Sequence, residues 1–257
     1  MSHAGRRYIV VGGTGGMGRA TAVELARTGG RVAVIGRDAG RAAAVAAQIG
    51  TDAVGEGGEG ASLGPAVERA IARLGGLDGV AITAGPIHAR GQFLDLAEES
   101  WAEAFDTQVM TVVRAAHPAL SAMIAGGGGS LVTCAAMSIR IQKGVLPHYA
   151  AMKSAIASLT KNLALTYGKD GIRANCIAPG AVASEALDEA KATGLRDFGG
   201  DPMVALWRTM QRDWGVKSAL DRIGEPSEVA ELIAFLLSPQ ARYLTGATIN
   251  IDGGSDF

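Results

Sequence analysis

Tyr149 and Lys153, a tyrosine and a lysine four residues apart, are the pair of side chains in this sequence with the clearest chemical meaning. On a helix, two residues with this spacing lie on one face. A phenol has a pKa of about 10 and transfers protons poorly at neutral pH, but a cation about 4 Å away lowers that pKa. The spacing therefore predicts that Tyr149 transfers a proton and that Lys153 lowers the pKa of Tyr149.

A glycine-rich segment near the amino terminus has the composition of a phosphate-binding loop. Residues 12–18 read Gly-Gly-Thr-Gly-Gly-Met-Gly, follow a short β-rich run and lead directly into a helical pattern. Glycine lets the backbone turn tightly and approach a phosphate, and the amino terminus of a helix attracts anions. The loop predicts a dinucleotide site at the first strand–helix junction, formed by Gly12, Thr14, Gly16, Met17 and Gly18.

Short apolar runs alternate with longer segments of helical period along the whole chain. Strands are predicted at 8–11, 32–35, 77–82, 131–134, 173–177 and 247–251, with a weaker third strand within residues 51–61. Helices are predicted at 17–28, 41–49, 63–74, 101–125, 148–167 and 227–237. Strands separated by helices predict one α/β domain over residues 1–257, a Rossmann-type, doubly wound parallel sheet between two helical layers.

One stretch, residues 184–221, interrupts this alternation and is predicted to be a long irregular connection. At the carboxyl edge of a doubly wound sheet such an insertion is often a lid over the substrate. The glycines between Gly55 and Gly60 and from Gly126 to Gly129 are interpreted as ordinary loop residues.

The composition excludes several classes of protein. Hydrophobic residues make up 48% of the chain and the net charge is −1, which argues against disorder and against a nucleic-acid partner. No apolar run approaches the roughly 18 residues of a membrane span, and no signal peptide is evident, so a cytoplasmic protein without a membrane partner is expected. Cys134 and Cys176 are expected to be unpaired and buried. The histidines lack the spacing of metal ligands, so no metal is expected.

Five segments together resemble, in order and spacing, the signatures of the short-chain dehydrogenase/reductase family, and in particular its 3-oxoacyl-(acyl carrier protein) reductase-like members. The segments are Gly12-x-x-x-Gly16-x-Gly18, Ile-Thr-Ala-Gly at 82–85, Tyr149-x-x-x-Lys153, Gly-Ile-Arg-Ala-Asn-Cys-Ile-Ala-Pro-Gly at 171–180 and Ile-Asp-Gly-Gly at 251–254. The resemblance covers nearly the whole chain.

This resemblance implies a nicotinamide cofactor, a small-molecule substrate, and a homotetramer or homodimer. Tyr149 is then the general acid, and both Tyr149 and Lys153 contact the cofactor. The resemblance adds a further set of expected cofactor-binding residues at the strand ends, namely Ala84, Gly85, Pro179, Gly180, Val182 and Ser184.

The end of the second predicted strand bears on which nicotinamide cofactor is used. Gly36 stands where members of the family that use NAD carry aspartate, and Arg37 follows it. A guanidinium suits bidentate pairing with the 2′-phosphate of NADP. NADP(H) is therefore favoured over NAD(H), although Asp38 keeps NAD(H) as an alternative.

Two positions depart from the family's catalytic pattern. Ala136 stands at the expected position of the catalytic serine, and Ser138 is the nearest hydroxyl if the loop is shifted by two residues. Gln108 replaces the asparagine of the proton relay and offers the same amide one methylene further out. The predicted catalytic set is therefore Tyr149, Lys153, Ser138 and Gln108.

These departures leave three hypotheses. The first is an NADPH-dependent reductase of a ketone or 3-oxoacyl-like carbonyl, in which Tyr149 protonates the developing alkoxide. The second is altered chemistry on the same fold, an enoyl-thioester reductase or a cofactor-retaining isomerase. The third is a non-catalytic NADP-binding protein. The presence of Tyr149 and Lys153 favours the first two.

Overall fold

In the computed structural model, which describes residues 2–50, 52–142 and 144–255, the chain forms a sheet of seven parallel strands. The strands are β1 (Arg7–Val11), β2 (Arg31–Gly36), β3 (Val54–Gly57), β4 (Gly79–Ile82), β5 (Gly129–Cys134), β6 (Ile172–Pro179) and β7 (Thr248–Ile251). Their order is β3-β2-β1-β4-β5-β6-β7, so the direction of winding reverses between β1 and β4. The predicted doubly wound Rossmann fold is confirmed.

Helices cover both faces of the sheet. They are α1 (Gly16–Arg27), α2 (Ala39–Ile49), α3 (Leu63–Leu74), α4 (Glu98–Ala104), α5 (Thr111–Ala125), α6 (Pro147–Tyr167), α7 (Asp188–Phe198), α8 (Pro202–Trp214) and α9 (Pro226–Leu237). Because side chains alternate along a strand, Ile9 and Val11 of β1 pack with α3, α5 and α6, whereas Tyr8 and Val10 pack with α1, α2 and α9. In the described part of the chain no helix is long and apolar enough to cross a membrane.

The third strand shows that several glycines are packing residues. A Cβ on Gly55 would overlap the backbone of Ala43, and one on Gly57 would lie 2.7 Å from the Cβ of Ala39 in α2. Gly129 lies in β5, and its Cβ would overlap Met123. The interpretation of these three glycines as ordinary loop residues was therefore wrong, because each allows a helix to approach the sheet.

The predicted helix at 101–125 is not a single α-helix. A six-residue π-helical segment, Phe105–Met110, separates α4 from α5 and buries Gln108. A wider turn of this kind is frequent at functional sites.

The stretch 184–221 was predicted to be irregular but is mostly helical, in α7 and α8. Helix α8 buries Leu206, Trp207 and Met210 in a separate apolar cluster. The Trp207 indole donates a hydrogen bond of 3.0 Å to Asp221. The spacing of Met203, Trp207, Met210 and Trp214 in the sequence is already close to that of a helix. We refer to residues 184–221 as the flap.

Candidate active site

The carboxyl ends of β1, β4, β5 and β6 bring the predicted site residues to one edge of the sheet. The loop 12–18 follows β1, Ala84 and Gly85 follow β4, Ser138 follows β5, and residues 180–184 follow β6. The reversal of strand order between β1 and β4 leaves a crevice at this edge, which is where ligands of open α/β sheets bind.

The loop after β1 has a shape that only glycine permits. Gly12 and Gly16 have φ angles of +83° and +47°, in the left-handed region that side chains rarely adopt. A Cβ on Gly12 would lie 2.8 Å from the backbone nitrogen of Ala84, and one on Gly18 would overlap the carbonyl oxygen of Gly12. The loop is thus packed directly against the end of β4 and opens onto the amino terminus of α1.

Thr14 of this loop packs against Gly36 at the end of β2. A Cβ on Gly36 would overlap the side chain of Thr14, so the place of an aspartate is taken. Asp38 caps α2 and accepts a hydrogen bond of 2.6 Å from the backbone N–H of Arg41. Arg37 is exposed, and the Arg41 guanidinium lies 3.4 Å from the position of a Cβ on Gly15. Sequence reasoning missed Arg41, which only folding brings to the loop.

Tyr149 and Lys153 share one face of α6, as their spacing predicted. The Lys153 ammonium is buried, lies 5.4 Å from the centre of the Tyr149 ring, and donates a hydrogen bond of 3.0 Å to the carbonyl oxygen of Cys134. Burial lowers the pKa of Lys153. Burial also raises the pKa of Tyr149, because desolvation disfavours the phenolate. This shift is opposite to the predicted one, and it keeps the phenol protonated.

Ala136 and Ser138 occupy different environments after β5. Ala136 is extended, with φ −164°, and Ser138 lies in the short turn Met137–Ile139 that follows. The Ser138 hydroxyl oxygen is buried and finds no hydrogen-bond partner within the described residues. An unpartnered buried hydroxyl can receive a hydrogen-bonding group of a ligand.

Gln108 fastens the π-helical segment to the loop after β4. Its amide nitrogen donates a hydrogen bond of 2.5 Å to the carbonyl oxygen of Pro86, so this N–H is already engaged. Its amide oxygen is buried without a partner among the described residues. A Cβ on Gly85 would overlap that oxygen, and Gly85 has φ +138°.

A small cavity beside Tyr149 is lined by Gln108 and His148. Its volume is about 10 Å³, which matches one water molecule. The Nδ1 atom of His148 is buried and has no partner in the part of the chain described, and burial lowers the pKa of His148. His148 therefore lies in this cavity as a neutral side chain. Within the described ranges, no three His, Cys, Asp or Glu side chains come together as a metal site would require.

The segment after β6 crosses over the glycine loop. Gly180 packs on the end of β7, where a Cβ would lie 2.7 Å from the Cα of Asp252, and Val182 forms a bridge with Gly224. Ser184 comes within 3.7 Å of the position of a Cβ on Gly16. Glu185, which the sequence did not single out, accepts a hydrogen bond of 3.2 Å from the backbone N–H of Gly16.

A cavity of about 500 Å³ lies next to this contact, between α1, the flap and α9. Gly16, Ser184 and Glu185 form its inner wall. Neither Tyr149 nor Ser138 lines it, so this cavity is distinct from the small one beside Tyr149.

Comparison with known proteins identifies relatives along the whole chain. A family model described as enoyl-(acyl carrier protein) reductase matches residues 12–256. L-rhamnose 1-dehydrogenase (NAD(P)(+)) of Azotobacter vinelandii is 31% identical over 262 residues, which cover 97% of this chain and 96% of the relative.

Two solved structures are also similar. A short-chain type dehydrogenase/reductase from Mycobacterium ulcerans has a TM-score of 0.86 and 27% identity, covering 100% of this chain and 91% of the other. L-sorbose reductase from Gluconobacter frateurii, complexed with NADPH and L-sorbose, has a TM-score of 0.89 and 27% identity, covering 100% and 98%.

Proposed function

The chain belongs to the short-chain dehydrogenase/reductase family and is an oxidoreductase acting on hydroxyl or carbonyl groups, and from this premise we propose that it reduces a carbonyl group with NADPH. The observation that carries the proposal is the position of Tyr149 and Lys153 on one face of α6, at the sheet edge that also carries the glycine loop. A proton donor and a phosphate-binding loop at one crevice are what a nicotinamide-dependent reductase requires.

The residues at the crevice fit a nicotinamide dinucleotide. Gly12 and Gly18 allow the close packing that turns the loop into the amino terminus of α1, and the backbone N–H groups of a helix amino terminus bind diphosphates. The residues that would hold the cofactor are the loop 12–18, Arg37, Ala84, Gly85, Tyr149, Lys153 and the segment 179–184. When bound, this cofactor supplies the hydride for reduction of the carbonyl carbon.

The protein's own contribution is a proton at the carbonyl oxygen. Burial raises the pKa of Tyr149, so its hydroxyl carries a proton at neutral pH and donates it as the oxygen becomes an alkoxide. The buried Lys153 ammonium, 5.4 Å from the centre of the Tyr149 ring, stabilises the phenolate that remains. Its hydrogen bond to the Cys134 carbonyl oxygen fixes the ammonium in place.

We expect NADPH to bind at least about tenfold more tightly than NADH. Thr14 fills the place where an aspartate would bind the ribose hydroxyls, Asp38 is engaged as a helix cap, and Arg37 is exposed beside them. Equilibrium titration of the purified protein with each cofactor measures the difference, and a tenfold ratio corresponds to about 1.4 kcal/mol.

The contribution of Arg37 to this preference is tested by Arg37→Gln. We expect this variant to bind NADPH about tenfold more weakly and to bind NADH as the wild type does. A suitable control is Arg242→Gln, because Arg242 is exposed and precedes β7, at the opposite edge of the parallel sheet. Equal dissociation constants of the wild type for the two cofactors would contradict the preference for NADPH.

Ser138 is proposed to stabilise the developing oxyanion in place of the serine missing at Ala136. Its hydroxyl oxygen is buried at the site without a partner among the described residues. Removing one donor to an oxyanion typically lowers kcat by ~10²–10³. We therefore expect Ser138→Ala to lower kcat by about 10², measured in steady-state assays.

The double variant Ala136→Ser/Ser138→Ala is expected to recover part of that activity, because it moves the hydroxyl to the family's usual position. Ser158→Ala, an exposed serine of α6, is the matched control. A Ser138→Ala enzyme with undiminished kcat would show that another group stabilises the oxyanion.

A second candidate function is reduction of an enoyl thioester, which the description of the matching family model favours. NADPH oxidation followed across ketones, sugars, enones and acyl thioesters separates the candidates. Sugars belong in this panel because the relatives named above act on L-rhamnose and L-sorbose. Tight NADPH binding without turnover of any class would instead indicate a non-catalytic NADP-binding protein.

A further inference from the structure

Glu185, in the first turn of the flap, contacts the glycine loop at the point where the loop enters the amino terminus of α1. Its Oε2 atom accepts a hydrogen bond of 3.2 Å from the Gly16 N–H. Both carboxylate oxygens lie close to the neighbouring Gly15, 3.6 and 3.8 Å from the position of a Cβ on that residue. A carboxylate is stabilised there because the amino terminus of a helix carries partial positive charge.

The Gly16 N–H is one of the backbone donors at this helix amino terminus that a dinucleotide's diphosphate would use. Two anions cannot share one hydrogen-bond donor of this kind, since each would have to lie about 3 Å from the nitrogen. We propose that Glu185 competes with the cofactor's diphosphate for the amino terminus of α1, so that cofactor binding requires Glu185 to leave the loop. This inference rests on the proposed function, because it presumes that the loop binds a nicotinamide dinucleotide.

The flap is anchored at its base, next to Glu185. The base of the flap is held by a backbone pair: Ala183 N–H donates to Gly224 at 3.0 Å, and Gly224 N–H donates to Ala181 at 2.9 Å. Glu185 lies just beyond this base, is exposed, and among the described residues its side chain has only the hydrogen bond to Gly16. Displacing the Glu185 side chain therefore breaks one side-chain hydrogen bond and leaves the anchored base in place.

Arg41 explains how one position can serve both anions. Its guanidinium lies 3.4 Å from the position of a Cβ on Gly15, the position that the Glu185 carboxylate approaches to 3.6 Å. A guanidinium there attracts the carboxylate in the free protein and a phosphate group after the carboxylate leaves. Glu185 thus sets the affinity for the cofactor and links the loop to the flap.

The test is equilibrium binding of NADPH to the wild type and to Glu185→Ala and Glu185→Gln, followed by the fluorescence of the reduced nicotinamide. Alanine removes the competing group, and we expect the dissociation constant to fall about tenfold, which is about 1.4 kcal/mol. Glutamine retains an acceptor without the charge, so we expect a smaller fall, of about threefold. Glu189→Gln, which removes the same charge four residues further along the exposed flap surface, is expected to leave binding unchanged.

Inorganic pyrophosphate provides a second probe that lacks the nucleoside and nicotinamide parts. We expect the wild type to bind it more weakly than Glu185→Ala does, by a similar factor. NADPH binding by the wild type with no gain in either Glu185 variant would overturn this proposal alone. An equal gain in Glu189→Gln would also overturn it, because the loss of any negative charge on the flap would then explain the tighter binding. Failure of every variant to bind NADPH would overturn the proposed function as well.

Discussion

Replacing Tyr149 with phenylalanine is expected to lower kcat by about 10³, because the substitution removes the hydroxyl group that donates the proton. General acid catalysis by one positioned side chain typically contributes 10²–10⁴ in rate. Burial raises the pKa of Tyr149, so the wild-type hydroxyl is protonated when the carbonyl oxygen needs a proton. Steady-state kinetics with any substrate that the wild type reduces measure the effect.

The same variant is expected to remain folded and to bind NADPH, since phenylalanine keeps the ring that packs beside Lys153. A loss of kcat with retained NADPH binding separates a chemical role from a structural one. Tyr167→Phe, at the carboxyl end of the same helix, is the matched control and should change neither property. Undiminished turnover by Tyr149→Phe would mean that another group donates the proton.

Substituting alanine for Gly18 is expected to weaken NADPH binding by at least about tenfold and to destabilise the fold by about 2–3 kcal/mol. The new Cβ would overlap the carbonyl oxygen of Gly12 and would lie 2.6 Å from the hydroxyl of Thr83. Two of the atoms in its way, the Gly12 carbonyl carbon and oxygen, belong to the backbone, so the loop itself must shift. Overpacking a well-packed site typically costs about 1–3 kcal/mol.

Denaturant unfolding and NADPH titration measure the two effects of Gly18→Ala. The control is Gly64→Ala in α3, where the new Cβ would make an ordinary contact of 3.5 Å with the carbonyl oxygen of Arg114. Alanine favours a helix over glycine by roughly 1 kcal/mol, so this variant should be as stable as the wild type or more so. Normal cofactor affinity in Gly18→Ala would show that the loop tolerates the displacement.

Much of the fold could be predicted from the sequence because its signals are local. Apolar runs of strand length identify six of the seven strands, and the helical period gives α3 its boundaries as observed. The third strand, with the sequence Val-Gly-Glu-Gly, has no such run and was predicted only weakly. The spacing of Tyr149 and Lys153 is read correctly because a helix brings every fourth residue to one face. By contrast, the π-helical segment Phe105–Met110 leaves no local signal, since the apolar pattern continues through it.

Other errors in the sequence-based prediction have a common origin in contacts between distant segments. The glycines of β3 resemble loop residues until α2 is seen to pack against them. The pKa of Tyr149 was predicted to fall because of Lys153, whereas burial by several elements raises it. Burial depends on everything packed around a side chain, and the spacing of two residues does not report it.

The sequence alone determined the fold, the glycine loop and the placement of Tyr149 and Lys153 on one helix face, because each follows from the order and period of neighbouring residues. Only the tertiary structure decided which groups meet at the site. It directs the Gln108 amide to Pro86, and it brings Glu185 onto Gly16 across 169 residues of chain. These contacts depend on how the loops after separate strands converge at one edge of the sheet, and that convergence is a property of the folded chain as a whole.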